Sequence, residues 1–292
     1  MQLTPGRWML ALAGGRSRRA VPPRPGAGFR GASYEQWLYA VRLGFGRRQG
    51  TRFYLSGIYG FDARSSLPDT TTLAPVENLA LTPELALVLF GGRLRFEAVV
   101  TASAFTGETR NDPIEGIETP LFTPRLGTHV DYAGQVALGL TFPAFGLEAQ
   151  YRRIQPGFSA LGVPRLRSDE ESIRLQPRLQ LLQRRLNVSL QLGQSRNNLL
   201  GQRLSTLTRR QLGGTVQALA APWLTLSSGY QLQTYENRPE PGSDAQLYQR
   251  QDVHAATLAP VLTFRGRQLH NVALTLSYQP AAIGVACSPS TT

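Results

Sequence analysis

The sequence has no lysine; all 31 of its basic residues are arginines. It has a single cysteine, Cys287, and three histidines, His129, His254 and His270. It also lacks any long apolar run. Segments such as Leu85–Phe90 fall far short of the roughly 18–20 residues that a membrane-crossing helix needs. Each absence excludes something. Without lysine, no glycine-rich loop completes the phosphate-cradling motif. One cysteine forms neither an internal disulfide nor a cysteine-based zinc site. No Gly-x-Ser-x-Gly elbow presents a nucleophile. If the chain enters a bilayer it has to cross as strands, because there only helices and closed barrels satisfy every backbone polar group.

Acids are scarce too: 19 against 31 arginines leave a formal charge of +12. Such a balance suits nucleic acid or an anionic surface, and the distribution decides between them. Residues 1–36 hold Arg7, Arg16, Arg18, Arg19, Arg24 and Arg30 against Glu35 alone. The remaining arginines stand singly or in pairs and line no helix face, so no nucleic-acid partner is expected. Codon bias in a GC-rich genome accounts for the lysine-free composition. The length suits one large domain.

What the sequence does have is alternation. Trp37, Tyr39, Val41, Leu43 and Phe45 recur at period two. The same rhythm runs through Phe53–Phe61, Leu79–Leu89, Leu94–Ala104, Tyr132–Phe142, Leu147–Tyr151 and Ile173–Leu181. It continues through Leu186–Leu192, Leu212–Ala220, Leu224–Leu232, Ala256–Phe264 and Val272–Tyr278. Period two marks strands with one apolar side. About twelve segments of roughly ten residues match tilted membrane strands. The opposite sides are wet: Arg174, Gln176 and Arg178; Asn187 and Ser189; Thr225 and Ser227. Parity places Arg152, Arg174, Arg178, Gln180, Gln191 and Gln231 on this side as candidate lumen-lining residues, near Glu148 and Gln150. An arginine-lined pore favours anions; the alternative is a filled lumen in which arginine pairs with glutamate across strands. Gly44, Gly60, Gly139, Gly193 and Gly229 fall inside strands, where they relieve crowding or let the strand bend.

Connections alternate between short and long. The short ones lie near 46–51, at Gly91-Gly92, Pro143-Ala144, Arg184-Arg185 and Ala221-Pro222, and at 265–267. The long ones cover about 62–76, 106–130, 156–171, 196–208 and 237–250. Tight turns on one rim and long loops on the other is the plan of an outer-membrane barrel. Phe45, Phe90, Phe142, Phe145, Trp223 and Phe264 stand at short turns as a candidate aromatic girdle. Arg47, Arg48, Arg93, Arg184, Arg185, Arg265 and Arg267 share that rim. Asp62, Asp69, Glu108, Asp112, Glu115, Glu118, Asp169, Glu170, Glu171, Glu236, Glu240 and Asp244 gather in or beside the long loops.

The expectation is an all-β protein: an antiparallel up-and-down transmembrane β-barrel of about twelve strands over residues 37–279. Residues 1–36 are expected to form a disordered or misassigned extension. Within it, 14–33 is rich in Gly, Arg and Pro, and Trp8–Ala13 resembles a stunted signal peptide. An exported barrel needs a signal peptide, so an upstream truncation or wrong start is expected. Residues 280–292 are expected to be an irregular tail that carries no terminal aromatic strand, as a C-terminal truncation or frameshift would leave it.

Residues 151–164 read YRRIQPGFSALGVP, residues 191–211 QLGQSRNNLLGQRLSTLTRRQ, and residues 221–236 APWLTLSSGYQLQTYE. This series resembles the large, mostly uncharacterised outer-membrane barrel proteins of Bacteroidota-type bacteria. The resemblance covers about residues 130–279. It implies an envelope location and a barrel, and it carries over no catalytic residue.

The chemistry available elsewhere is thin. His129 with Asp131, and His254 with Asp252, could form acid/base pairs as at the rim of some barrel enzymes, but solvated loop histidines are the simpler account. The acids of 108–118 and of 169–171 match no calcium loop and read as solvated loops. No metal and no cofactor are expected. The leading expectation is a non-enzymatic barrel of the bacterial outer membrane with a pore-like, passive-transport role. Its partners would be outer-membrane lipid and the barrel-insertion machinery, with the solute or surface ligand unidentified. The alternatives are a surface-binding or envelope-assembly barrel, a fragment of a TonB-dependent receptor, and, last, a barrel hydrolase.

Overall fold

The computed structural model describes residues 1–4, 6–23, 31–47, 49–68, 72–116, 122–163, 168–241, 247–265 and 269–287. Arg48, Asp69, Glu118, Asp244 and Arg267 lie outside the described residues, as does the side chain of Arg265. The strands are β1 (Gln2–Leu3), β2 (Trp8–Arg18), β3 (Glu35–Gly46), β4 (Arg52–Ala63), β5 (Glu77–Leu89) and β6 (Leu94–Thr106). They continue with β7 (Thr128–Thr141), β8 (Phe145–Ile154), β9 (Glu170–Leu181), β10 (Leu186–Asn197), β11 (Ser205–Ala221) and β12 (Leu224–Pro239). The last are β13 (Leu247–Arg265), β14 (Leu269–Ala273), β15 (Leu276–Tyr278) and β16 (Ala281–Cys287). No helix among the described residues is long and apolar enough to cross a membrane.

Strand order follows sequence order from β1 to β14, with β15 and β16 also on β13, in one up-and-down sheet of 16 strands. Neighbours pair antiparallel, as from β2 to β5 and from β9 to β13. Among the described residues no ladder joins β2 to the last strands, so the pairing is an open path where the sequence led us to expect a closed barrel. Contacts divide the chain into two compact units: Met1–Leu87 with Glu97–Gly134 and Ile154–Asp169, and Val88–Phe96 with Gln135–Arg153 and Glu170–Thr292.

All twelve alternating segments are strands, and two further regions join them. The first lies inside the extension expected over residues 1–36: Trp8–Arg18 is a full strand on β3, pairing Trp8 with Phe45, Leu10 with Leu43 and Leu12 with Val41. Met9, Ala11 and Ala13 fill the other side with apolar residues too, and this hid the alternation. The second lies in the expected irregular tail, where β16 pairs with Leu247–Val253. β14, β15 and β16 share one register against β13 and are in effect a single interrupted strand. The interruptions fall at two prolines. Pro260, opposite Leu274, and Pro280, opposite His254, accept an amide but have none to donate.

Candidate functional site

Each unit presents two unlike sides. In the second, the register sets Leu181, Leu186, Ala218, Leu226 and Pro260 in one row, and Leu179, Val188, Val216, Ser228 and Leu258 in the next. These rows are not covered: Leu181 is 43% and Val216 41% exposed. In the first unit Leu43 opposes Leu55 and Gly57 opposes Leu81 on the same kind of side, where Leu43 is 51% and Leu81 49% exposed. Soluble proteins rarely leave so much apolar surface contiguous.

At the long-loop end the apolar rows stop at charge. Beyond Ile173 and Gln194 stand Glu171 and Arg196, paired at 2.8 Å, and the Tyr151 hydroxyl donates to Glu171 at 2.6 Å. Glu236 holds Arg238 at 2.7 Å and Arg210 at 3.9 Å. In the first unit, Arg16 meets Glu35 at 3.3 Å and the Trp37 indole donates to Glu35 at 2.8 Å. The rings of Trp37, Tyr39, Phe61 and Tyr59 follow one another at 5.5–6.5 Å, and the Tyr59 hydroxyl donates to Glu77. This aromatic row at the long-loop end was not expected. Its signal was four rings within two facing segments. At the short-turn end stand the expected Phe45, Phe90, Phe142, Phe145, Trp223 and Phe264. Phe45 lies 4.9 Å from Trp8, and Phe90, Trp223 and Phe264 are half exposed or more.

The other side is polar. In the first unit Arg42 pairs with Glu84 at 2.6 Å, and Arg52 reaches Glu84 at 3.5 Å and Glu97 at 3.3 Å. Asp62, almost fully buried, accepts from Arg18 and Gln36 at 3.0 Å each and from the Val76 amide at 3.3 Å. On this same side the connection after β8 folds down onto β4, β5 and β6. The Leu161 amide donates to Asn78 Oδ1 at 3.2 Å, and Ser103 Oγ donates to the Ser159 carbonyl at 2.6 Å. Asn78 Nδ2 in turn donates to Ser103 Oγ at 2.7 Å and to the Ala104 carbonyl at 2.9 Å. A methyl placed on Gly60 would come within 3.1 Å of Leu161, so segment 155–163 lies directly over β4. Asn78 and Ser103 are at most 1% exposed, and Ile154 and Phe158 are buried with them.

In the second unit all six candidate lumen residues fall on the polar side, but in separate places. Arg152 and Arg174 line a cleft of about 370 Å³ whose other walls include Arg209, Gln211, Gln233 and Tyr235. Arg178, Gln191 and Gln231 line a second cleft of about 300 Å³. Gln180 lies by the short turns in a third, with Arg178 and Glu148, which pair at 3.6 Å. Arg209, Gln211, Gln233 and Tyr235 were missed, because the apolar alternation of β11 and β12 fades before reaching them. Extending the parity of Gly213 and Gln231 by one or two steps places them.

The remaining candidates contact neighbouring groups of the fold. His129 Nε2 sits 3.2 Å from the Gly157 carbonyl and 3.7 Å from Asp131. His254, expected in a loop, stands on β13 with Nδ1 2.8 Å from the Tyr230 hydroxyl, because the strand runs past the apolar alternation. Of 169–171, expected as a solvated loop, Asp169 is buried, Glu170 begins β9 and Glu171 beside it is ion-paired. Glu108 is held by Arg110 at 2.6 Å, and that hydrogen bond keeps its carboxyl below the ordinary range. No group of three or more metal-ligating side chains occurs among the described residues. No family model, no curated protein and no solved structure matches the chain.

Proposed function

We propose that the chain is a non-enzymatic, integral β-barrel of the bacterial outer membrane with a pore-like role in passive solute transport. The observation that carries this reading is the uncovered apolar side facing away from a charged one. Leaving a large apolar side chain half exposed to water forfeits roughly 1 kcal/mol, repeated over every strand. Hydrocarbon removes that cost. The band also has the right height. At about 3.3 Å per residue, Ile173 to Leu181 covers about 26 Å of strand, and a tilt near 40° makes that about 20 Å, close to the roughly 25 Å of an outer-membrane barrel. Ion pairs begin where the band ends on one side, and aromatics mark the other.

Closure of the sheet into a barrel belongs to this proposal, since an open edge leaves backbone groups unsatisfied in lipid. So do outer-membrane lipid and the barrel-insertion machinery as partners. Segment 155–163, pinned on the polar side, narrows any path along it. The test is conductance of the detergent-folded protein in a planar bilayer. Stepwise currents are expected, and a silent bilayer containing folded protein removes the pore.

A further inference from the structure

We propose that the polar cleft over β8–β12 is a binding site for a small oxygen-rich polyanion, one carrying two or more carboxylate or phosphate groups. The proposal rests on the reading of this side as water-filled. Its basis is a contrast among arginines. Arg42 and Arg52 lean on Glu84 and Glu97, and Arg178 leans on Glu148. Arg152, Arg174 and Arg209 line one cleft and are ion-paired to nothing among the described residues. Only one carboxylate, Glu170, is in the lining, against these three guanidiniums and that of Arg210, which reaches Glu236 at 3.9 Å. The tyrosine opposite Arg209 in the register, Tyr235, lies under its guanidinium at 5.6 Å and holds the cation in place.

The donors suit oxyanions. A guanidinium offers a planar fork that matches carboxylate and phosphate in pairs. Gln211 and Gln233, opposite one another on β11 and β12, add amides that can donate to the same oxygens. The volume, about 370 Å³, is that of a small-molecule site. Its floor is Gly193, which lies between Arg174 and Gln211 in the register. A Cβ there would meet only ordinary contacts, the nearest being Gln211 Cβ at 3.7 Å, so a larger side chain fills the cleft without displacing backbone. All three arginines are solvent-exposed. Capture is therefore weak and salt-sensitive, as a site in a passage must be if the solute is to leave.

Citrate and pyrophosphate, titrated calorimetrically at low ionic strength into the full chain folded in detergent, test this. Saturable binding of either anion is expected, and the preference between them separates a carboxylate from a phosphate ligand. Arg174→Gln and Arg209→Gln should each weaken it by about tenfold to a hundredfold. Gly193→Trp should abolish it while the folded gel mobility is retained. Arg47→Gln removes the same charge from an exposed turn residue outside the cleft and should leave binding unchanged. No saturable heat with either anion, equal losses in Arg47→Gln, or intact binding in folded Gly193→Trp would each overturn the site. The bilayer measurement is independent. Binding with a silent bilayer removes the pore and leaves the site, and currents without binding do the reverse.

Discussion

The Asn78 side chain is fully buried and makes three hydrogen bonds at once. Its amide donates to Ser103 and to the Ala104 carbonyl, while its oxygen receives the Leu161 amide from a segment more than eighty residues away. Ser103 passes the link on to the Ser159 carbonyl. Asn78→Ala removes a partner from that amide and that carbonyl in a part-buried site, at a cost of about 1–3 kcal/mol. The cost should fall on segment 155–163 before it falls on the sheet, because the ladders on either side of Asn78 do not use its side chain. Limited proteolysis should therefore cut this segment faster in Asn78→Ala than in the parent, with the heat-induced gel shift of the folded protein retained. Equal cleavage rates would show that the loop is held by Phe158 and Ile154 alone. Asp62 is a similar hub on the neighbouring β4, where it collects Arg18, Gln36 and the Val76 amide.

On β3 and β4, Gly44 and Tyr54 are directly opposed, and the ring occupies the space a side chain on residue 44 would need. A Cβ there would lie 2.2 Å from the Tyr54 ring. The ring cannot swing aside freely, because Arg42 stacks on it at 4.4 Å and Arg52 approaches at 5.8 Å. Gly44→Val should destabilise the protein by about 1–3 kcal/mol through overpacking. Adding Tyr54→Ala should recover much of the loss, a non-additivity that a double-mutant cycle in urea measures. Additive effects would mean that the glycine serves backbone bending instead. That the glycine relieves crowding or lets the strand bend was legible from its place inside an alternating strand; the partner ring was not, since register depends on pairing. The same division holds across the fold. β3 to β15 announce themselves because one side is apolar and the other is not. β2 does not, since Met9, Ala11 and Ala13 make both sides apolar, and β16 is masked by Pro280 and the small residues after it. The cleft was half visible: Arg152 and Arg174 follow from parity, whereas Arg209 and Tyr235 lie beyond the leucines that make parity readable. The descent of segment 155–163 onto Asn78 leaves no local trace, because its hydrogen bonds join residues far apart in the chain.

At the scale of the whole molecule, two adjacent residues of β10 test whether hydrocarbon or water covers the apolar rows. Leu190 lies within the apolar rows, two residues short of Leu192 and next to Val188 and Gly214 in the pairing. Gln191 points to the opposite side and lines the second cleft with Arg178 and Gln231. If hydrocarbon covers the apolar rows, Leu190→Arg places a cation near the middle of the bilayer and costs about 2–4 kcal/mol, while Gln191→Arg adds one more arginine to a side already wet and costs little. If water covers them, the order inverts: Leu190→Arg replaces an exposed leucine by a solvated charge and raises solubility. Urea unfolding in lipid vesicles, followed by tryptophan fluorescence, reads the difference as a shift in midpoint at constant slope. A large loss for Leu190→Arg beside a near-neutral Gln191→Arg is the expected result. A Leu190→Arg variant that stays folded without detergent would remove the membrane, and with it the pore, because every step from the apolar rows to the solute path requires lipid on that side.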